Sequence, residues 1–115
     1  MNIQELKNYL NCDDAFLISL MQKFIDEVIE ITITIKTAAN DKDWSTVKIN
    51  AHKMLSSVRI FEMQEIIAVL EKLEIEAEGK KNADLIKKDI EKLSNLIEKV
   101  IYDVRTGLEE IKAVK

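Results

Sequence analysis

Apolar residues recur at steps of three and four over most of this chain, which is the spacing of one face of an α-helix. The pattern predicts a short leader helix over residues 2–10 and longer helices over residues 13–39, 42–60, 63–78 and 82–111. Asp41 or Asp43 is expected to cap the helix over 42–60. Gly79 is expected to end the helix over 63–78 in a left-handed conformation.

Each predicted helix has one line of apolar side chains that we expect to be buried. These are Ile3, Leu6 and Leu10 in the leader, then Leu17, Leu20, Phe24, Val28, Ile31 and Ile35, then Trp44, Val47, Ala51, Met54 and Val58, then Met63, Ile66, Ile67, Leu70, Leu73 and Ala77, and finally Ile86, Ile90, Leu93, Ile97, Val100, Val104 and Ile111. Because no amphipathic helix can bury its line alone, we expect an antiparallel up-and-down four-helix bundle whose end is covered by the short N-terminal leader helix.

One stretch also fits a β-strand. Ile29, Ile31, Ile33 and Ile35 alternate with polar residues, which is the period of a strand with one buried face. We favour a helix because the pattern over residues 16–28 is helical and no turn residue separates the two stretches.

The composition supports an all-α domain. The chain has 115 residues, no proline and only two glycines, so little interrupts helices and little could form the tight turns of a β-sandwich. This length corresponds to one domain with one core, over residues 1–115.

The charges and the cysteine content exclude several classes of partner. The net charge of −4 comes from 17 basic and 21 acidic residues that are mixed along the chain, so no basic block favours nucleic acid. No apolar run is long enough for a membrane span, and we expect no membrane partner. Cys12, the single cysteine, excludes an internal disulfide and cannot build a metal site with one histidine. We expect a cytoplasmic protein with no metal and no cofactor of its own.

His52, the single histidine, is the main candidate for chemistry. By helical geometry its side chain points roughly 120° away from the mean direction of the apolar line in its helix. Lys48, Ser56 and Arg59 point in about the same direction as His52. We therefore expect the imidazole to reach solvent in a cationic, hydrogen-bonding row.

A solvated imidazole of this kind suits a phosphoryl group. Such a ring is largely neutral near pH 7, so one nitrogen keeps a nucleophilic lone pair. Neighbouring cations and a hydroxyl would hold the phosphoryl oxygens. Other nucleophilic schemes fit less well, because the chain has no second histidine to act as a base. A solvated surface histidine without a function is the alternative.

The residues around His52 resemble the signature of histidine-containing phosphotransfer (HPt) domains. The matching positions are Asp43 and Trp44, then Ala51, His52, Lys53 and Met54, then Ser56 and Ser57, and Phe61. The helix that follows has Leu70, Glu71, Lys72, Leu73 and Glu74 where the family has a leucine-and-glutamate ending, and Asp14, Phe16 and Phe24 resemble the family's first long helix. The resemblance runs from about Cys12 to Val104 and is most specific at the histidine.

Membership of this family would imply a phosphorelay protein. His52 would accept a phosphoryl group from the aspartate of a response-regulator receiver domain and pass it to another receiver, and a hybrid histidine kinase is a further possible partner. The Mg²⁺ of the reaction would belong to the receiver, so the chain would be a carrier rather than an enzyme.

Two positions depart from the family pattern. The family's lysine three residues after the histidine is here Leu55, and its glycine ten residues after is Glu62. Lys48, Arg59 or Lys53 could supply the missing charge, although Lys53 points about 100° away from His52. Glu62 is expected to affect the choice of partner at the docking surface.

The predicted docking surface lies on the first long helix. Ile18, Ile25, Ile29 and Ile33 form a second apolar line, roughly 130° from the buried line of that helix. The family docks receivers across its first and second long helices, so this line is a candidate for partner binding, and core packing is the alternative.

Two other functions stay open from the sequence. Leu55 and Glu62 also fit an adaptor that resembles an HPt domain and binds a receiver or kinase without being phosphorylated. An unrelated helical interaction module, in which the line from Ile18 to Ile33 mediates dimerisation and His52 has no role, is the other alternative.

Overall fold

The described part of the chain, residues 3–79 and 82–113 of a computed structural model, consists of helices and contains no strand. The helices are α1 (Ile3–Leu10), α2 (Asp14–Asn40), α3 (Trp44–Ile60), α4 (Gln64–Gly79) and α5 (Ala83–Ala113). The all-α prediction is confirmed over these residues. The predicted leader start at Asn2 and residues 80–81 of the predicted link lie outside them.

Each of the four long helices packs against two other long helices. α2 contacts α3 and α5, α4 contacts the same two helices, and α1 makes a smaller contact with α5. The apolar side chains of all five helices form one core. Gly107 in α5 lets α1 approach closely, because a Cβ atom at this position would overlap the side chain of Ile3. Within the described residues, no helix combines the length and apolar character needed to cross a membrane.

The predicted buried lines are confirmed at most positions. The exceptions are half-buried rather than buried, and they are Leu10, Leu20, Trp44, Met63, Ile67, Val100 and Ile111. Several of these lie at helix ends or at the margins of the helix contacts, where solvent reaches one side of the residue.

The stretch with strand-like alternation is helical. Thr32 is buried, and its hydroxyl donates to the carbonyl oxygen of Val28 at 2.7 Å, while the Thr34 hydroxyl donates to Glu30 at 3.0 Å. Each threonine thus satisfies its polar group within the preceding turn of α2. The alternation of isoleucine with threonine therefore does not require a sheet.

The helix caps explain where α2 and α3 begin. The Asp13 carboxylate accepts a hydrogen bond from the Phe16 backbone N–H at 2.8 Å. Of the two aspartates predicted to cap α3, Asp43 is the N-cap and accepts from the backbone N–H of Thr46 at 3.2 Å. The hydrogen bonds from Thr46 also lower the pKa of Asp43. Side-chain oxygens at these positions satisfy N–H groups that the first helical turn leaves unpaired.

The helix ends at Gly79, as predicted, but the predicted left-handed conformation of Gly79 is wrong. Gly79 is the last residue of α4, and no glycine in the described ranges has a positive φ angle. The left-handed positions are instead non-glycine residues that follow α1, α2 and α3, namely Asn11, Lys42 and Glu62.

Glu62 closes α3 in a left-handed conformation with φ of 53°. Its N–H donates to the carbonyl of Arg59 at 3.2 Å, and the next N–H, of Met63, donates to Val58 at 3.4 Å. These two bonds form the Schellman motif, whose left-handed residue is most often glycine. In this chain the left-handed residue is a glutamate, which adopts this conformation at a steric cost.

Replacing Glu62 by glycine is expected to stabilise the protein by about 1 kcal/mol, because glycine adopts a positive φ without steric cost. Urea denaturation followed by circular dichroism measures this difference. The matched control is Glu71→Gly within α4, which is expected to destabilise by about 1 kcal/mol. Destabilisation by both substitutions would contradict the conformational explanation.

Candidate functional site

His52 lies in the middle of α3 and faces solvent. Its side chain is 66% exposed, while Ala51 and Met54 beside it are buried in the core. The outward orientation predicted from helical spacing is therefore confirmed. An imidazole with this exposure is accessible to a second macromolecule.

The carboxylate of Glu74 in α4 fixes the orientation of the imidazole. The Nδ1 atom of His52 lies 3.0 Å from Oε1 of Glu74. In the neutral ring, this contact favours the tautomer in which Nδ1–H donates to the carboxylate, so Nε2 keeps its lone pair. The nitrogen farther from the backbone is thereby prepared as a nucleophile or a proton acceptor.

A second pair of charges joins the same two helices. The ammonium group of Lys48 forms an ion pair with the carboxylate of Glu78, four residues beyond Glu74. The hydrogen bond to Glu78 is the main cause that raises the pKa of Lys48. Lys48 and His52 are likewise four residues apart, so two basic groups on α3 meet two acidic groups on α4 at matching intervals.

These two pairs line a groove between α3 and α4. Trp44 and Ile49 contribute apolar surface to the groove, beside Lys48 and His52. Lys48 is thus close to His52, as predicted, but its charge is balanced by Glu78. A phosphoryl group that approached the groove would compete with Glu78 for the ammonium group.

The other predicted phosphoryl-stabilising residues point into solvent. Ser56, Lys53 and Arg59 are exposed on α3. Long, solvated side chains can reorient when a ligand binds. Contact of any of these three with a phosphoryl group stays a prediction.

Leu55 belongs to the core and not to the solvent-exposed site. Its side chain is 1% exposed, on a helix whose outer side carries His52. The position at which the HPt signature has lysine is therefore used here for packing.

The predicted docking line on α2 requires a correction. Ile25 is buried, Ile18 and Ile29 are half-buried against the core, and only Ile33 is largely exposed among the four. Because α2 packs against both α3 and α5, its apolar surface covers more than one side of the helix.

The line also lies away from His52. Ile29 borders a groove with Ile101 and Tyr102 of α5. Glu27 accepts a hydrogen bond from Ser57 of α3, and two residues along a helix correspond to roughly 200° of rotation. The line is therefore on the α5 side of α2 rather than beside α3.

Apolar surface beside His52 comes instead from α3 itself. Ile49 is 62% exposed and Ile60 is 56% exposed. They lie three residues before and eight residues after His52, which places all three on one side of the helix, together with Ser56. Ile49 and Ile60 do not belong to the apolar line predicted for this helix, so this surface was not predicted from the sequence.

The comparisons with known proteins give no family for this chain. No family model matches it, and no curated protein or solved structure matches it significantly.

Proposed function

We propose that this chain is a histidine phosphotransfer protein that carries a phosphoryl group on His52 between the aspartates of receiver domains. The observation that carries the proposal is the exposed imidazole whose Nδ1 contacts Glu74 at 3.0 Å, because this arrangement directs the lone pair of Nε2 toward solvent. A nucleophile that must reach a partner's aspartyl phosphate needs both features. The proposal includes the antiparallel four-helix bundle expected for such a protein and a cytoplasmic location.

The proposed reaction uses one group of this chain as nucleophile. Nε2 of His52 attacks the phosphorus atom of the aspartyl phosphate, the N–P bond forms, and the P–O bond to the aspartate breaks. The leaving carboxylate stays on the receiver, whose Mg²⁺ would neutralise charge on the phosphoryl oxygens. Glu74 accepts the hydrogen bond from Nδ1–H and stabilises the positive charge that develops on the ring. Reversal of these steps on a second receiver completes the relay.

The proposed partner surface is the outer side of α3. Ile49 and Ile60 would pack against the receiver on either side of His52, within a surrounding charged surface. Transient interfaces commonly combine a small apolar patch with a polar rim. Arg59 and Lys53 would be available to replace Lys48, which is paired with Glu78, at the phosphoryl oxygens.

The function is tested with receivers that carry a radioactive phosphoryl group. The wild-type chain and a His52→Gln variant are incubated with a panel of such receivers, and both label transfer and binding are measured. Label on the wild type and none on His52→Gln is expected, because glutamine has no nucleophilic nitrogen. Equal label on both proteins would contradict the assignment of His52.

The same experiment separates the alternative functions. Receiver binding without label would support an adaptor that is not phosphorylated, for which the departures at Leu55 and Glu62 are the sequence evidence. Neither binding nor label across the panel would favour an unrelated helical interaction module.

A further inference from the structure

A second cluster of charged side chains lies between α4 and α5. Asp89 of α5 is buried, with 6% of the residue exposed, and Glu76 of α4 is half-buried with both carboxylate oxygens shielded from solvent. The ammonium group of Lys72 lies 3.4 Å from both carboxylate oxygens of Asp89. Two carboxylates and one ammonium group thus meet where the two helices pack.

This cluster has too few donors for two ionised carboxylates. The Lys72 side chain is 56% exposed and is directed to Asp89. With both acids ionised, the two Oε atoms of Glu76 and Oδ2 of Asp89 have no hydrogen-bond donor. A buried ionised carboxylate without a donor is costly, and protonation reduces the cost because it removes the charge.

A proton on Glu76 supplies one donor, because the Glu76 hydroxyl can then donate to Asp89. Burial is the main cause that raises the pKa of Glu76, from 4.5 to about 7, and the hydrogen bond and negative charge of Asp89 add to it. The positive charge of Lys72 acts in the opposite direction. Near pH 7 the folded protein would therefore exchange this proton with solvent.

We propose that a proton held by Glu76, and donated to Asp89 in a hydrogen bond, forms a pH-sensitive latch between α4 and α5, which is closed while the proton is bound and loosened when it is lost. The charged groups that act on Glu76 are Lys72 on its own helix and Asp89 on α5. On the α3 side of α4, the charged groups His52 and Lys48 contact Glu74 and Glu78 instead. Neither of these two pairs includes a residue of the latch.

The direction of the pH effect follows from the two states of Glu76. In the unfolded chain it loses its proton near its ordinary pKa of 4.5, whereas in the folded protein it keeps the proton up to about pH 7. The folded state therefore binds more protons between these values, and its stability falls as the pH rises from about 4.5 to 7. Within this window, each pH unit changes the folding equilibrium constant by up to roughly tenfold.

Urea denaturation of the full chain between pH 5.5 and 8.5 tests the latch. The wild type is expected to lose about tenfold in its folding equilibrium constant between pH 5.5 and 7 and little more above it. Glu76→Gln keeps a donor for Asp89 and cannot ionise, so its stability is expected to lack this loss and to exceed that of the wild type at pH 8.5. The difference between the two proteins isolates position 76, because every other residue is the same in both.

The matched control is Glu71→Gln, an exposed position on the same helix, which is expected to keep the wild-type pH dependence.

Carbon NMR of the Glu76 carboxyl group provides a readout that needs no variant, with an expected titration midpoint near 7. In Asp89→Asn, the midpoint is expected to move toward 4.5. A wild-type midpoint near 4.5, or a Glu76→Gln protein with the wild-type pH dependence, would overturn the proposal.

Discussion

Replacing Leu55 by lysine is expected to destabilise the protein by about 2–5 kcal/mol, although lysine is the residue of the HPt signature at this position. The substitution removes a leucine that is 1% exposed and brings an ammonium group to the edge of the core. Domains of this size have a total stability of only about 5–15 kcal/mol, so the loss would be a large fraction of it. Urea denaturation with circular dichroism gives the free energy of unfolding.

The control for this prediction is Leu55→Met, which conserves volume and apolar character and is expected to cost less than about 1.5 kcal/mol. If Leu55→Lys were as stable as Leu55→Met, the side chain at 55 would have to reach solvent, and the assignment of this position to the core would be wrong. Because Leu55 is buried, this position does not contact a phosphoryl group, although the HPt signature has lysine here.

Replacing Glu74 by alanine is expected to slow phosphoryl transfer to His52 by about 10–100-fold, by analogy with the loss found when the hydrogen-bond partner of a metal-ligating histidine is removed. The hydrogen bond to Nδ1 is lost, so the ring populates both tautomers and rotates more freely. Transfer rates from a labelled receiver measure the effect, and nitrogen NMR of the imidazole measures the tautomer.

Two variants separate the effect of Glu74 on the orientation of the His52 ring from the effect of its negative charge. Glu74→Gln keeps an oxygen that accepts from Nδ1–H and is expected to preserve the tautomer, with a smaller loss of rate because the negative charge is gone. Glu78→Ala removes the partner of Lys48 from the same groove and is expected to leave the tautomer of His52 unchanged. An unchanged tautomer in Glu74→Ala would rule out a positioning role for Glu74.

Much of the helical structure could be predicted from the sequence, because periodic apolar residues directly reflect burial on one face. N-caps can also be predicted locally, because the capping side chain bonds to a backbone N–H three residues away. Asp13 and Asp43 occupy the N-cap positions of α2 and α3. The left-handed position was harder to predict. Glycine adopts a left-handed conformation with least strain, so Gly79 was the expected residue. The left-handed residues are instead Glu62 and other non-glycine residues, which follow earlier helices.

The sequence predicts the part of the candidate site that lies within one helix, but not the contacts between two helices. The outward direction of His52 follows from spacing within α3, but Glu74 reaches it from α4, and the register between two packed helices cannot be read from either helix alone. The four-residue intervals of Lys48 and His52, and of Glu74 and Glu78, were the signal that could have suggested the pairing. Ile25 was expected at the docking surface and is buried, for a similar reason. The sequence of one helix does not show how many other helices pack against it.

The most direct test of the proposed phosphotransfer is phosphorus NMR of the wild-type chain after incubation with a phosphorylated receiver that binds it. We predict a single phosphohistidine, bonded at Nε2 of His52, with Nδ1 still protonated and hydrogen-bonded to Glu74. The proposed phosphotransfer would be contradicted if a receiver bound the chain and its phosphoryl group stayed on the aspartate. It would also be contradicted if the phosphoryl group were attached to any residue other than His52.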